Sequence, residues 1–480
     1  VTKLWPHQER AARDALGSPH RGWLLDMKMG TGKTLTAISC VERSTKPSDV
    51  MAVVCPLAVV PTWPTQLEKH AEAEHRVLAL GREVTTYAIR PGEPATQYRH
   101  KGIARVSDKA RLIWSEVDAA RARNVRLWVV LNYDSARVPD MVQALTKLHP
   151  AVAVYDESHK AKDPRGATFR AMDRIYKASK HTLALTGTPM PHSPMDIYAQ
   201  SRLVAPGVFG QSYWQFRGRY AVMGGFKMKN VVSFRDLDDM RKKIDSFSTH
   251  VGSEVLKLDT PTDVELRIDL SPSARAIYDK LDKAMAVAVK GGTVTAANAP
   301  VKLMRLQQIT GGWLRLDGDE ILDTPGKLQR VDDGKEDALA ELIDGLPPRE
   351  PLVVFCRFRA DIDSVHSACK RLGVESRELS GTRHELEEWK AGGGQVIAVQ
   401  IQAGGAGVDL TRACYVAYYS LGYSLGDYLQ SRARAHRPGQ LRHVTYFHLV
   451  VNHSIDQKVY RALERRQDVI EAVLGEYAAQ

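Results

Sequence analysis

No apolar run in this chain of 480 residues approaches the roughly 20 needed to span a bilayer, so insertion in a membrane is not expected. The opening VTKLWPHQER also lacks the apolar core of a signal peptide, which argues against export. Cysteine is scarce. Cys40, Cys55, Cys356, Cys369 and Cys414 form an odd set with no CxxC pair and no zinc-ligand spacing to histidine. That excludes a disulfide framework and leaves the reduced thiols of a cytoplasmic or nucleoid-associated protein. With 44% hydrophobic and 26% charged residues, general disorder is excluded as well. Negative charge is in deficit: 67 lysines and arginines against 56 acids give a formal charge of +11 and favour polyanionic partners.

At about 150 residues per domain, the length allows three domains, or two that carry insertions. From residue 1 to about 205, short apolar runs alternate with helical patterns: WLLDM, TLTAISCVERS, VMAVVCP, RLWVVLNYD, AVAVYDE and TLALTGTP. Valine- and leucine-rich strands, each followed by a turn and a helix, indicate a parallel sheet covered on both faces. A basic stretch, 82–126, interrupts the rhythm (Arg82, Arg90, Arg99, Lys101, Arg105, Lys109, Arg111, Arg121, Arg123, Arg126) and reads equally well as a solvated insertion or a phosphate-facing surface. From 206 to 345 the pattern is helical and irregular. ARAIYDKLDKAMAVAVK and KEDALAELIDGL are amphipathic helices in this reading, and GGTVTAANAP between them is a loop. A second α/β run, 346–480, comprises PLVVFCRF, GGQVIAVQI, ACYVAYYS and HVTYFHLVV, and closes on the helical SIDQKVYRALERRQDVIEAVLGEYAA.

Two motifs carry chemistry. MGTGKT lies between the WLLDM strand and the TLTAISCVERS helix. There Met29, Gly30, Thr31 and Gly32 would wrap phosphates, Lys33 would reach the β- and γ-phosphates, and Thr34 would ligate Mg²⁺. Met27 stands where the strict pattern has glycine. In YDESH, at the end of AVAVY, two adjacent carboxylates suit Asp156 for Mg²⁺ and Glu157 for polarising the attacking water.

A P-loop followed by a DExH box and LTGTP (Leu185 to Pro189) resembles the superfamily-two helicases. VVCPLAVVPTW (Val53 to Trp63), DESHKAKDP (Asp156 to Pro164), LALTGTPMPHSPMDIY (Leu183 to Tyr198), AGGAGVDL (Ala403 to Leu410) and QSRARAHRPGQ (Gln430 to Gln440) are similar to the Swi/Snf-like ATPases. The resemblance runs through nearly the whole chain. It implies an α/β fold of two RecA-like parallel-sheet domains with a helical insertion between them, dependence on ATP and Mg²⁺, and a monomeric DNA-stimulated ATPase that translocates on duplex or branched DNA. A strand-separating DNA or RNA helicase and a non-hydrolysing, ATP-gated scaffold are the alternatives. Intact Lys33, Asp156, Glu157, Arg434 and Arg437 argue against the scaffold.

Residue by residue, the resemblance implies that Gln8 reads the adenine edge and that Arg434 and Arg437 act as arginine fingers. It assigns coupling of nucleotide state to domain movement to His159, Thr186, Gly187, Thr188, Gly407, Asp409 and Gln430. His159 is explained equally by a buried, backbone-bonded imidazole. Motif order puts Pro56, Trp63, Asn132 and Tyr133 near the strand-binding surface, although Trp63 reads better as core. Gln400, Ile401, Gln402, Asp409 and Tyr423 depart from the usual spellings, which bears on strand contacts rather than on ATP chemistry. YAVMGGFKMKNVVSF (Tyr220 to Phe234) reads as a hairpin turning at Gly224-Gly225, either a plain surface feature or one that sets Lys227 and Lys229 against phosphate.

Overall fold

The computed structural model describes residues 2–103, 105–224, 230–284, 286–289, 292–295, 299–316, 327–402 and 408–474. Gly225, Lys227, Lys229 and Gly407 lie outside them. The chain divides into two compact units, one built on Val1–Lys257 and the other on Leu258–Arg466.

Eight strands, buried except for the exposed β5, frame the first unit: β1 (Gly22–Met27), β2 (Val50–Cys55), β3 (His75–Leu80), β4 (Val84–Ile89), β5 (Thr96–His100), β6 (Arg126–Asn132), β7 (Val152–Asp156) and β8 (His181–Thr186). After a separate hairpin of β9 (Ala221–Gly224) and β10 (Asn230–Phe234) comes β11 (Ser248–Val251). The sheet order is β11-β1-β8-β7-β2-β6-β3-β4-β5. It is parallel from β11 to β3, where every residue of β1, β2, β6 and β7 is buried, as expected of a sheet with helices on both faces. Beyond β3, the basic stretch supplies the antiparallel strands β4 and β5 and a helix, Val106–Ala122. Most of its basic side chains are exposed, and some of the set have structural partners. Arg126 is buried, with its guanidinium donating to Thr45 and to the Glu42 carbonyl, and Arg99 pairs with Glu83 at 2.9 Å.

The second unit holds β12 (Thr262–Ile268), β17 (Leu352–Cys356), β18 (Ser376–Leu379), β19 (Val396–Gln400), β20 (Tyr415–Tyr418) and β21 (Thr445–Val451). Their order is β12-β21-β20-β17-β19-β18, and all are parallel. Two small hairpins complete it, β13 (Ala286–Val289) with β14 (Gly292–Thr295) and β15 (Trp313–Arg315) with β16 (Leu328–Arg330).

Three expectations are corrected here. Residues 206–345 are helical in large part, but they do not stand apart between 1–205 and 346–480: β11 extends the first sheet and β12 the second. The helix expected over Ala274 to Lys290 ends at Lys283, and GGTVTAANAP is not a plain loop, because its Gly292–Thr295 pairs with Ala286–Val289. Alternation of valine and threonine with small residues around a Gly-Gly pair is a strand pattern with period two, and it overrides the helical one. Among the described residues no helix is long and apolar enough to cross a membrane.

Candidate nucleotide site

Register brings the chemistry to one edge. β1 lies beside β8 with Asp26 opposite Thr186, and β8 beside β7 with Leu185 opposite Asp156. The segments after Met27, Asp156 and Thr186 therefore all leave from the carboxyl ends of neighbouring strands, where open α/β sheets bind ligands. Gly30 and Gly32 have φ of 86° and 90°, the left-handed region that glycine enters without strain. Gly32 caps the helix Lys33–Ser44, whose first amide groups face the loop.

The loop is held from several sides. Lys33 Nζ donates to the Met27 carbonyl at 2.8 Å, and Thr31 Oγ1 to the Lys28 carbonyl at 2.7 Å. Gln8 is buried beside it. Its Nε2 donates to the Thr31 carbonyl at 3.0 Å and its Oε1 accepts from the Trp5 amide at 2.9 Å, so this side chain is anchored to the phosphate loop. A β-carbon on Gly32 would lie 2.1 Å from Gln8 Nε2. One on Gly187 would lie 3.1 Å from the Met27 carbonyl and 3.3 Å from Lys33 Nζ, so the TGT segment sits directly on the P-loop lysine. Thr34 is half-buried on the first turn of the helix.

The acidic pair is buried at the end of β7. Asp156 Oδ2 accepts from the Trp63 indole at 3.2 Å and its carbonyl from the Tyr133 hydroxyl at 3.0 Å. Burial pushes the Asp156 carboxyl well above its ordinary range, the charge of Glu157 adds to this, and Lys33 and the indole oppose it. Glu157 takes φ 54° and ψ 52°, a left-handed conformation unusual for a residue with a side chain. Its Oε2 is buried without a hydrogen bond, 3.3 Å from His159 Nδ1. His159 Nδ1 is hydrogen-bonded to Thr186 Oγ1 at 3.0 Å, and Thr186 Oγ1 also accepts from the Thr188 amide at 3.1 Å. The buried imidazole thus bonds a side chain of the TGT segment. Ser158 donates to Gln200 Oε1 at 2.9 Å, and Gln200 donates to the Pro189 and Asp196 carbonyls. Gln200 went unread in the sequence because it follows TGTP in a helix whose pattern is that of core.

Trp63 is fully buried in the core, and its indole bonds Asp156 of the acidic pair as well. Asn132 and Tyr133 are buried at the end of β6, and Tyr133 bonds the same aspartate.

In the second unit, Asp409 Oδ1 accepts from the Thr411 amide and hydroxyl at 3.0 and 2.8 Å. Burial works against its charged form, but these bonds and the nearby Arg437 charge hold its carboxyl below the ordinary range. Arg437 is half-buried just past the helix Leu425–Ala435, with Nη1 3.5 Å from the Val408 carbonyl. Gln430 is half-buried on that helix, and Arg434 is 1% exposed.

Among the described residues no three His, Cys, Asp or Glu side chains cluster as a metal cage. Mg²⁺ needs none, since it is usually held by one or two carboxylates together with phosphates. The buried carboxylates at the end of β7, one with an oxygen that makes no hydrogen bond, and the threonine hydroxyl at the start of the P-loop helix are the hard-oxygen donors such an ion takes.

A phosphate-wrapping loop at a helix start, with an acidic pair at the same sheet edge two strands away, defines a P-loop nucleotide-binding protein of the α/β class. Residues 7–311 match the family described as SNF2-related domain, and residues 334–439 match the helicase conserved C-terminal domain. The chain belongs to the SNF2-related family. A Mycoplasma pneumoniae protein named an uncharacterized ATP-dependent helicase is 22% identical, with 99% of this chain and 42% of that protein covered. The Caenorhabditis elegans homolog of SWI/SNF-related matrix-associated actin-dependent regulator of chromatin subfamily A-like protein 1 is 22% identical over 98% of this chain and 62% of its own length. The mouse DNA annealing helicase and endonuclease ZRANB3 is 23% identical over 99% and 41%. The chain thus spans only part of the length of these curated relatives. The Sulfolobus solfataricus SWI2/SNF2 ATPase core in complex with dsDNA aligns over 99% of this chain and 93% of that chain, with 19% identity and a TM-score of 0.41.

Proposed function

We propose that the chain is an ATP-driven motor that moves along duplex DNA. The observation that carries this reading is the meeting of Lys33, Gly187 and the buried Asp156–Glu157 pair at one sheet edge, within a member of the SNF2-related family. Loop amides from Gly30 to Thr34 and the Lys33 ammonium would bind the phosphates, and Thr34 and Asp156 would hold Mg²⁺, which when bound neutralises phosphate charge. Glu157, with an oxygen that makes no hydrogen bond within the protein, would accept the proton of the attacking water. The Thr186–His159 bond and the Gly187 contact couple the state of Lys33 and Glu157 to the TGT segment. Arg434 and Arg437 would supply the guanidinium charge that stabilises a transferring phosphoryl.

DNA as the track is supported by the charge of +11 and by the activity in the mouse relative's name. A translocase that holds phosphates shows little sequence preference and a steep loss of affinity with salt. One feature favours the strand-separating alternative. The β9–β10 hairpin carries a bulge at Val232, which is 61% exposed, and Trp214, on the helix Tyr213–Tyr220 that leads into β9, is 64% exposed, as a wedge between strands would need. The deciding experiment measures ATP hydrolysis with no nucleic acid, single-stranded, duplex and branched DNA, and RNA, together with displacement of a third strand from a triplex. Duplex should stimulate at least as well as single strands, and the third strand should be stripped while a fork stays paired. Fork unwinding without triplex displacement, or stimulation by RNA alone, would overturn the proposal.

A further inference from the structure

The Asp156 carboxylate has two oxygens and a soft terminal torsion, so by itself it does not choose which oxygen to present. Trp63 makes that choice. Its indole N–H, a donor that cannot also accept, bonds Oδ2 at 3.2 Å in a fully buried setting. The indole is itself held. Its ring packs on Trp128 of β6 at 5.9 Å between centroids, and Trp128 donates its own N–H to His75 Nδ1 at 3.2 Å. His75 Nε2 in turn bonds Glu42 Oε1 at 2.7 Å, and Glu42 lies on the helix that Lys33 begins. Tyr133 fixes the backbone of Asp156 from a third side. A line of buried rings and polar bonds therefore ties the acidic strand end to the phosphate-loop helix.

We propose that Trp63 is a positioning residue for the Mg²⁺-nucleotide: its indole holds one oxygen of Asp156 so that the other is the one offered to the ion. This rests on the nucleotide-site reading given above. Groups that orient a metal ligand without touching the metal typically set metal affinity or activity by about 10- to 100-fold.

The test is Trp63→Phe, which keeps an aromatic ring against Trp128 and removes the N–H. Fluorescent mant-ADP is titrated at equilibrium in excess Mg²⁺ and in EDTA, and thermal melting is recorded alongside. The gain in affinity that Mg²⁺ confers should fall about tenfold in Trp63→Phe, with affinity in EDTA unchanged. Trp128→Phe breaks the bond to His75 in the same core. It should lower the melting temperature and leave the Mg²⁺ gain intact, which separates positioning from packing. Equal Mg²⁺ gains in wild type and Trp63→Phe would overturn the inference, as would equal losses in both tryptophan variants. Wild-type protein that binds mant-ADP in neither condition would instead overturn the nucleotide-site reading.

Discussion

Replacing Glu157 with glutamine separates catalysis from structure at one atom. The side chains have the same shape, and φ 54° at this residue constrains both alike. An amide cannot take the proton of the attacking water, and loss of a positioned general base typically removes 10²- to 10⁴-fold in rate, so turnover should fall by roughly that factor. Nucleotide and DNA affinity should hold, because Lys33 and Asp156 are untouched. Stability should move the other way. Two buried carboxylates adjoin, the charge of Glu157 is among the forces raising the Asp156 carboxyl, and Glu157 Oε2 has no hydrogen bond to lose. Removing that repulsion is worth on the order of 1 kcal/mol, the scale of one pKa unit. For a unit of this size that raises the melting temperature by about 2–4 °C. The assays are steady-state ATP hydrolysis with duplex DNA, equilibrium binding of a fluorescent nucleotide, and thermal unfolding without Mg²⁺. Near-normal hydrolysis would refute the base assignment. A lower melting temperature would refute the account of two crowded charges.

Two further outcomes are expected. Arg437→Ala should lower turnover about 10³-fold with nucleotide binding retained, the scale for a guanidinium that stabilises a transferring phosphoryl, and unchanged turnover in a stopped-flow ATPase assay would remove it from the mechanism. In the second unit the buried Lys335 Nζ lies 2.7 Å from Asp456, so Lys335→Met should destabilise that unit by about 3–5 kcal/mol in urea unfolding, and adding Asp456→Leu should restore most of the loss if an unpaired charge is the cause.

The P-loop was legible because its chemistry and its backbone demand the same residues. Gly30 and Gly32 are needed for positive φ, and Gly32 for contact with Gln8 as well, so the motif could be read without knowing the partner. The parallel strands were legible for a similar reason: a strand buried on both faces must be apolar along its length, and VMAVVC and VAVYD are nearly so. Edge strands carry no such demand. β12, TDVELRI, is mostly exposed; its alternation of charged and apolar residues is a strand pattern, but it stands alone in a stretch otherwise rich in helical patterns, so the division of the chain near Lys257 went unread.

Basic residues show why charge is a poor guide to a contact surface. Arg126 closes the stretch that invited a phosphate-facing reading, yet it is buried and bonded to Thr45. A guanidinium can bond backbone carbonyls inside a fold as readily as phosphate outside it, and composition does not distinguish the two uses. Trp63 illustrates the opposite loss. Its burial was legible, but the bond to Asp156 joins residues 93 apart and exists only because the helix Thr62–His70 sets its indole against the end of β7. Side chains that act through another residue carry no motif of their own. They become visible when the geometry around a recognised carboxylate is followed outward, and Trp63, Tyr133 and Gln200 all entered the site in that way.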